Sequence, residues 1–347
     1  MKIIVDVMGG DNAPEETVKG AIQAVRELDP SITYVLVGNE ADIKRIAAQE
    51  SFDFTRTEIL HAEDVVTMED DPLTSVRAKP NSSMTVALKL LAAGGGDALV
   101  STCNTGALFT GATLLVRKVK GLQRAGIATV MPFDKPMLLF DSGANVTVTP
   151  ENLEQFAIVG SAYMKNVFGI EKPRVGLLNN GSESCKGTEL HQEAYQLLSN
   201  SPDVNFVGNV EGNAMPFDAC DVLVTDGFVG NVLLKGSEGV LKMMLKQLKA
   251  MFKGSARGAL AYLLLKPELK ALKKRLDPSE TGGAPLLGIS KPVFKAHGSS
   301  DAKSFQSAIK QAVRYVESGA MESVTAAVEV YAARKKAERA AQKEIKE

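Results

Sequence analysis

The chain is poor in the residues that build covalent or metal-held scaffolds: three cysteines and three histidines stand among 347 residues. Cys103, Cys185 and Cys220 are odd in number and show no C-x-x-C spacing. That argues against a disulfide framework or a cysteine-based zinc cluster, and makes the reducing cytoplasm the expected compartment. His61 and His191 have no ligand spacing, so no metal site is expected. An excess of one charge is missing too. The net charge of −1 and pI of about 6.4 give no global case for nucleic-acid binding. No apolar run reaches the roughly 18 residues of a membrane span. The opening "MKIIVDVMGG" breaks at Gly9-Gly10 before a signal-peptide core could form, and reads as a strand entering a turn. No strand–helix junction carries G-x-G-x-x-G or G-x-x-x-x-G-K-[ST], so neither a dinucleotide fingerprint nor a P-loop is supported.

What is present is alternation. "KIIVDV", "TYVLVG", "TEILHA", "DALVST", "RVGLLNNG", "VNFVGNV" and "DVLVTDG" read as strands separated by helix-like segments. "ATVMP" and "PMLLFDSG" read as two more strands, with Pro132 and Pro136 punctuating the connection. "TGALFTGATLLVRKV" reads as one helix, and a longer one follows Thr149 as N-cap with Pro150 at its first position. Apolar content of 45% permits a sizeable core. The pattern predicts a single α/β catalytic domain over 1–347, a three-layer αβα, Rossmann-like unit around a mainly parallel sheet. Ligands then bind at the carboxyl ends of strands.

Polar and glycine-rich clusters follow strand after strand. They are Gly9-Gly10-Asp11-Asn12, Ser101-Thr102-Cys103-Asn104-Thr105-Gly106, Asp141-Ser142-Gly143-Ala144-Asn145, Asn179-Asn180-Gly181-Ser182, and Thr225-Asp226-Gly227, with Gly230-Asn231 beyond. In a parallel sheet these loops share one rim, where glycine lets backbone N–H groups approach a ligand at helix N-termini. One such loop is what any α/β protein needs; five rich in Asn, Asp, Ser and Thr point to a site. Lys186, just before a helix start and among Ser182, Ser184 and Thr188, opposes the helix dipole unless an anion sits nearby. His297-Gly298-Ser299-Ser300 precedes another helix and could bind an anion through ring and backbone N–H groups. Nothing resembles G-x-S-x-G, and Cys103 and Cys185 have no histidine at motif spacing, so serine or thiol nucleophiles are disfavoured.

Residues 236–276 read as an inserted basic amphipathic helical hairpin. Lys242, Lys246, Lys249 and Lys253 recur every three or four residues, with Leu241, Met244, Leu245, Leu248, Met251 and Phe252 on the apolar face. Gly254 to Gly258 can make the turn, and Pro267 interrupts the second segment. Three occupants fit: a second subunit, an anionic membrane meeting Leu260, Leu263 and Leu264 together with Lys253 and Arg257, or an acidic protein.

Taken together, "DVMGGDNAP", "CNTGALFTGA", "LLFDSGAN", "CDVLVTDGFVGNVLLKGSEG" and "GGAPLLGISKPVFKAHGSSDAKSF" resemble the phosphate acyltransferase family, the acyl-carrier-protein–phosphate transacylases of bacterial phospholipid synthesis. The resemblance runs from Met1 to about Val330. It implies a fold similar to isopropylmalate dehydrogenases and phosphate acetyltransferases. It implies transfer of a long-chain acyl group from acyl carrier protein to inorganic phosphate, with no cofactor. It also implies a homodimer, peripheral contact with the cytoplasmic membrane face, and delivery of the acyl phosphate to a membrane glycerol-3-phosphate acyltransferase. The family loop reads Ser-Ala-Gly-Asn-Thr-Gly-Ala, whereas this chain has Cys103 at the glycine. With the resemblance, direct attack of phosphate on the thioester assigns Lys186 as anion clamp and Asn231 as polar donor. Asp226 becomes loop organiser or proton acceptor, and His297 a phosphate or carbonyl contact. Asp11, Asn12, Asn104, Thr105, Gly106, Ser142, Gly143, Asn145, Gly227, Gly230 and Ser299 are the expected substrate loops. The competing readings are a short-chain acyl-coenzyme A phosphotransacylase, a decarboxylating dehydrogenase on the same fold, and a non-catalytic membrane scaffold.

Overall fold

The computed structural model describes residues 1–275 and 282–344. The first half alternates β1 (Lys2–Asp6), α1 (Glu15–Glu27), β2 (Thr33–Gly38), α2 (Glu40–Gln49), β3 (Thr57–His61), α3 (Ser75–Ala78), α4 (Ser83–Ala92), β4 (Ala98–Ser101) and α5 (Thr105–Gly111). Then come β5 (Gly126–Met131), β6 (Met137–Phe140), α6 (Pro150–Phe168), β7 (Arg174–Asn179), α7 (Glu189–Asn200), β8 (Asn205–Glu211) and β9 (Val222–Val224). The rest is α8 (Gly227–Lys253), α9 (Ala256–Arg275), β10 (Ala284–Leu287), β11 (Val293–Lys295), α10 (Ala302–Glu317) and α11 (Ala320–Glu344).

The eleven strands form one sheet in the order β3-β2-β1-β4-β11-β10-β5-β6-β9-β7-β8. Side chains alternate across it, as the two-residue period of a strand requires. Ile3 and Val5 join a core with α1, α2, α6, α7 and α10, while Ile4 joins another with α4 and α5. A third core under the start of α8 gathers Leu139 and Leu223. Helices therefore cover both faces, giving three layers.

The sheet is mainly parallel, but its direction reverses in the middle. β3, β2, β1, β4 and β11 are mutually parallel, and so are β6, β9, β7 and β8. Between the blocks β11–β10, β10–β5 and β5–β6 all pair antiparallel. Three reversals leave the two blocks running in opposite directions. The loops after β1, β4 and β11 thus lie on one edge of the sheet, and those after β6, β7 and β9 on the other. This corrects the single shared rim expected from sequence. β10 and β11, four and three residues long, are strands that the sequence pattern does not announce.

Local rules account for most helix boundaries. Thr149 caps α6 in a capping box with Asn152, Pro150 stands in the first turn, and Gly169 ends the helix in the left-handed region. The segment after Asn104 is not one helix: α5 gives way at Ala112 to a π-helical turn that ends at Val116. Pro267 lies inside α9 rather than interrupting it. The expected hairpin end at residue 276 lies outside the described residues. Leu241, Leu245, Leu248 and Phe252, half-buried at helical spacing on α8, and the exposed Tyr262 of α9, its ring 5.8 Å from that of Phe252, show where α8 and α9 meet. Beyond Gly230 no residue of α8 is buried.

Candidate active site

A cleft of about 450 Å³ runs across the face of β5, lined by residues from both loop sets and by α8. Asp11, Thr105 and His297-Gly298-Ser299-Ser300 come from the loops after β1, β4 and β11. Thr129 and Ser142 come from β5 and the loop after β6, and Asn231, Leu234, Lys235, Glu238 and Lys242 from α8. Lys295, at the end of β11, completes the wall.

The first edge is laced together by its own backbone. Asp11 N–H donates to the Gly298 carbonyl at 2.8 Å, and Asn12 Nδ2 donates to the carbonyls of Ser299 (3.1 Å) and Ser300 (3.3 Å). Asn12 therefore fixes the His297 loop rather than opening toward a ligand. Gly9 explains how Cys103 fits: a Cβ on Gly9 would stand 2.6 Å from the Cys103 Cβ. The thiol is buried, and burial, with Asp6 nearby, pushes it up to about 12. It is a packing group, not a nucleophile.

His297 is the polar tip of this edge. Its Nδ1 accepts the Ser299 backbone N–H at 3.2 Å and lies 2.8 Å from Ser299 Oγ. An Nδ1 that accepts a backbone N–H places the ring proton on Nε2. Burial, then Lys235 and Lys295, lowers the imidazole below its ordinary value of 6.5, so the ring is neutral at neutral pH. It offers one N–H donor suited to a phosphate or carbonyl oxygen.

On the second edge, Asp141 organises the loop after β6. Its carboxylate accepts from the backbone N–H of Ile127, Gly143 and Ala144 at 3.0–3.1 Å and of Asn145 at 2.7 Å. Asn145 is buried and spends its amide on Asp141 and the Ala125 carbonyl, which makes it a brace. Ser142 Oγ lies 2.8 Å from Thr129 Oγ1 in the cleft wall. Gly143 takes φ 146°, a backbone conformation that favours glycine, beside Asn231.

The start of α8 is built by close packing. Asp226 is its N-cap and accepts from Phe228 and Val229 N–H, both at 2.9 Å. That is the loop-organising role, with its Oδ1 already engaged. Gly227 N–H donates to the Asn145 carbonyl at 2.7 Å, and a Cβ on Gly230 would lie 1.9 Å from the Asp141 carbonyl oxygen. Both glycines let the helix touch the Asp141 loop, which presents Asn231 one turn in. Asn104 is likewise a cap: Oδ1 accepts from Ala107 N–H at 3.1 Å and Nδ2 donates to the Met68 carbonyl at 3.2 Å. Gly106 packs against Pro72.

Lys186 is not among the residues lining the cleft. It stands 3.9 Å from Glu183 in the loop after β7. Since β6 and β7 flank β9, that loop and the Asp141 loop lie on opposite sides of the start of α8. Sequence reasoning missed Lys295, Lys235 and Lys242 as cleft residues. The signal for Lys295 was a charged residue inside the apolar run "PVFKA".

A three-layer α/β sheet with a donor-rich cleft across its reversal is the fold of the phosphotransacylases. The chain superimposes on a phosphotransacetylase from Streptococcus pyogenes with a TM-score of 0.60 at 16% identity, over 91% of this chain and 94% of that one. A branched-chain phosphotransacylase from Enterococcus faecalis gives 0.57 at 15% identity, over 91% and 99%. At such identities the likeness is one of fold. The model of the family described as "Fatty acid synthesis protein" matches residues 1–323. A phosphate acyltransferase of Acetivibrio thermocellus is 44% identical over 93% of this chain and 95% of its own length. One of Shouchella clausii is 44% identical over 95% and 99%. The chain belongs to the phosphate acyltransferase family.

Proposed function

We propose that the acyl donor is a long-chain acyl thioester of acyl carrier protein, and that the product is an acyl phosphate for phospholipid synthesis. The observation that carries this reading is the double use of α8. Its first turns form the cleft wall, with Asn231, Lys235 and Lys242, and its continuation exposes Lys246, Lys249 and Lys253. An acidic carrier held by those lysines would stand at the mouth of the cleft, within reach for its thioester.

In this reading phosphate sits among Asn231, His297, Ser142 and the backbone of the His297 loop. Lys186 steers or clamps it from the other side of α8. A phosphate oxygen attacks the thioester carbonyl, and His297 Nε2–H and Asn231 supply donors to the developing oxyanion. Positioned donors of this kind contribute about 10²–10³ in rate each. No cofactor is called on.

The outer hairpin is read as the assembly and membrane surface. Leu260, Leu263 and Leu264 are 59%, 68% and 70% exposed, with Lys253 and Arg257 beside them. Among the described residues no helix is long and apolar enough to cross a membrane. The proposal is a homodimer paired through α8 and α9. The leucine tip would rest on the anionic inner face of the cell membrane, close to the membrane glycerol-3-phosphate acyltransferase that uses the product.

The deciding experiment measures release of free thiol from palmitoyl-carrier protein with and without inorganic phosphate, trapping acyl phosphate with hydroxylamine. Phosphate-dependent release is expected. Equal or faster release from short-chain acyl-coenzyme A would favour the phosphotransacetylase-type donor instead. No release from either would leave a non-catalytic scaffold.

A further inference from the structure

The proposed reaction leaves one proton without a carrier. When an oxygen of monohydrogen phosphate displaces sulfur, the product is RC(O)–O–PO₃H⁻ and the leaving group is a thiolate. A thiol ordinarily titrates near 8.5, far above the hydroxyl of an acyl phosphate. A proton must therefore pass from the new acyl phosphate to the sulfur, and neither of the two donors assigned to the oxyanion is suited to carry it. His297 is held neutral with Nδ1 engaged, and Asn231 does not titrate.

Lys295 fits the requirement by geometry. Its side chain is only 8% exposed, yet it lines the cleft. Nζ donates to the Thr102 carbonyl at 3.3 Å and to the Ala296 carbonyl. Among the described residues it makes no ion pair with a carboxylate. An ammonium has three protons, and two carbonyls take two of them. Among the described residues the third has no protein acceptor. After losing that proton, the neutral amine still has two N–H groups for the same two carbonyls. Both protonation states are thus satisfied in one place, which a fixed counter-ion would prevent.

We propose that Lys295 is a catalytic acid–base group of this acyl transfer, carrying a proton from the acyl-phosphate hydroxyl to the departing thiolate. The inference rests on the transacylation proposed above. The C–O bond to phosphate forms and the C–S bond breaks. The sulfur takes a proton from the Lys295 ammonium to give the free thiol. The neutral amine then takes the proton of RC(O)–O–PO₃H⁻, leaving the acyl phosphate dianion and restoring the ammonium. The total charge is unchanged.

The surroundings suit the role. Burial pushes the ammonium down to about 8, close to a thiol, which is the matching that proton transfer favours. Lys235 on α8 acts in the same direction, and Cys103, Asp11 and Asp6 oppose it. His297, two residues on, feels Lys295 in turn. Below about pH 8 the acid is loaded, and it is lost as pH rises through that value.

The test is steady-state turnover of palmitoyl-carrier protein by the full chain at saturating phosphate, from mildly acidic to alkaline pH. For the wild type, kcat should fall as pH rises through about 8. Lys295→Arg keeps the charge and the carbonyl donors but releases no proton in this range. It should lose about 10²–10⁴ in kcat, keep its KM for phosphate within a few-fold, and lose the alkaline limb. Lys295→Met should lose kcat to a similar extent. An arginine variant with wild-type kcat would reduce the position to a fixed charge and overturn the proposal. Circular dichroism checks that the variants fold. If neither does, the wild-type profile decides, and a kcat flat through this range overturns the assignment. Absence of phosphate-dependent release at every pH is a different result, because it removes the proposed function and the role of Lys295 with it.

Discussion

At the scale of the residue, the site divides into groups that face the cleft and groups that hold the cleft open. Asn231 and His297 belong to the first; Asn12, Asn104, Asn145 and Asp226 belong to the second, their side chains spent on backbone and, for Asn145, also on the Asp141 carboxylate. Replacing Asn231 with Ala should lower kcat by about 10²-fold or more, the usual cost of a lost oxyanion donor. Lys186→Ala should raise the KM for phosphate, because a clamp on the far side of α8 acts on anion binding more than on bond making. Kinetic constants unchanged in the Lys186 variant would take that loop out of the anion site. The sequence showed which residues were polar and loop-borne. It did not show which would be consumed as caps, because an N-cap asparagine and a ligand-binding asparagine occupy the same position before a helix. Lys295 was passed over for a related reason: burial of a lysine depends on what closes over it, and its ammonium meets the loop after β4, far away in sequence.

At the scale of the element, α8 and α9 were the most legible part of the molecule and the least supported by the rest of it. The 3.6-residue rhythm of leucine and lysine gave both helices and the turn between them. It also named an apolar face, and here the structure is more selective. Leu241, Leu245, Leu248 and Phe252 are half-buried, whereas Met244 and Met251 stay exposed. Periodicity finds a stripe but not its partner, so a helix with two apolar margins reads like a helix with one. Exposed charges of this kind are screened by salt, so the KM for carrier protein should rise with ionic strength. The leucine tip should be separable from chemistry. A Leu263→Glu/Leu264→Glu variant should lose sedimentation with anionic phospholipid vesicles while keeping its turnover of soluble acyl-carrier protein. Sedimentation undiminished by the two glutamates would assign the tip to protein contact instead.

At the scale of the whole molecule, the layers and the run of parallel strands were readable from alternation, and the reversal was not. Each strand's direction depends on its neighbour in the sheet, and β10 and β11 are too short to announce themselves. That reversal is why the five loops do not share a rim, and why α8 must reach across to complete the cleft. The C-terminal helix is tied in by charge. Glu154, almost fully buried on α6, pairs with Arg334 at 3.0 Å and Lys335 at 3.1 Å on α11. Removing both cations (Arg334→Met with Lys335→Met) leaves that carboxylate with the Tyr331 hydroxyl at 3.2 Å but no counter-charge on α11, and should cost about 3–5 kcal/mol in urea denaturation. Adding Glu154→Gln should recover part of the loss, since an uncharged amide is cheaper to bury than an unpaired charge.

The order of strands also sets a timetable for synthesis. β4 pairs on one side with β1, made early, and on the other with β11, whose Val293 follows Ser101 by roughly 190 residues. At about 5–20 residues per second that is a wait of about 10–40 s on the ribosome. During it the inner edge of the first block has no native neighbour. An uncovered parallel edge is a template for wrong pairing, so this edge stays exposed to misassembly until Lys295 has been translated.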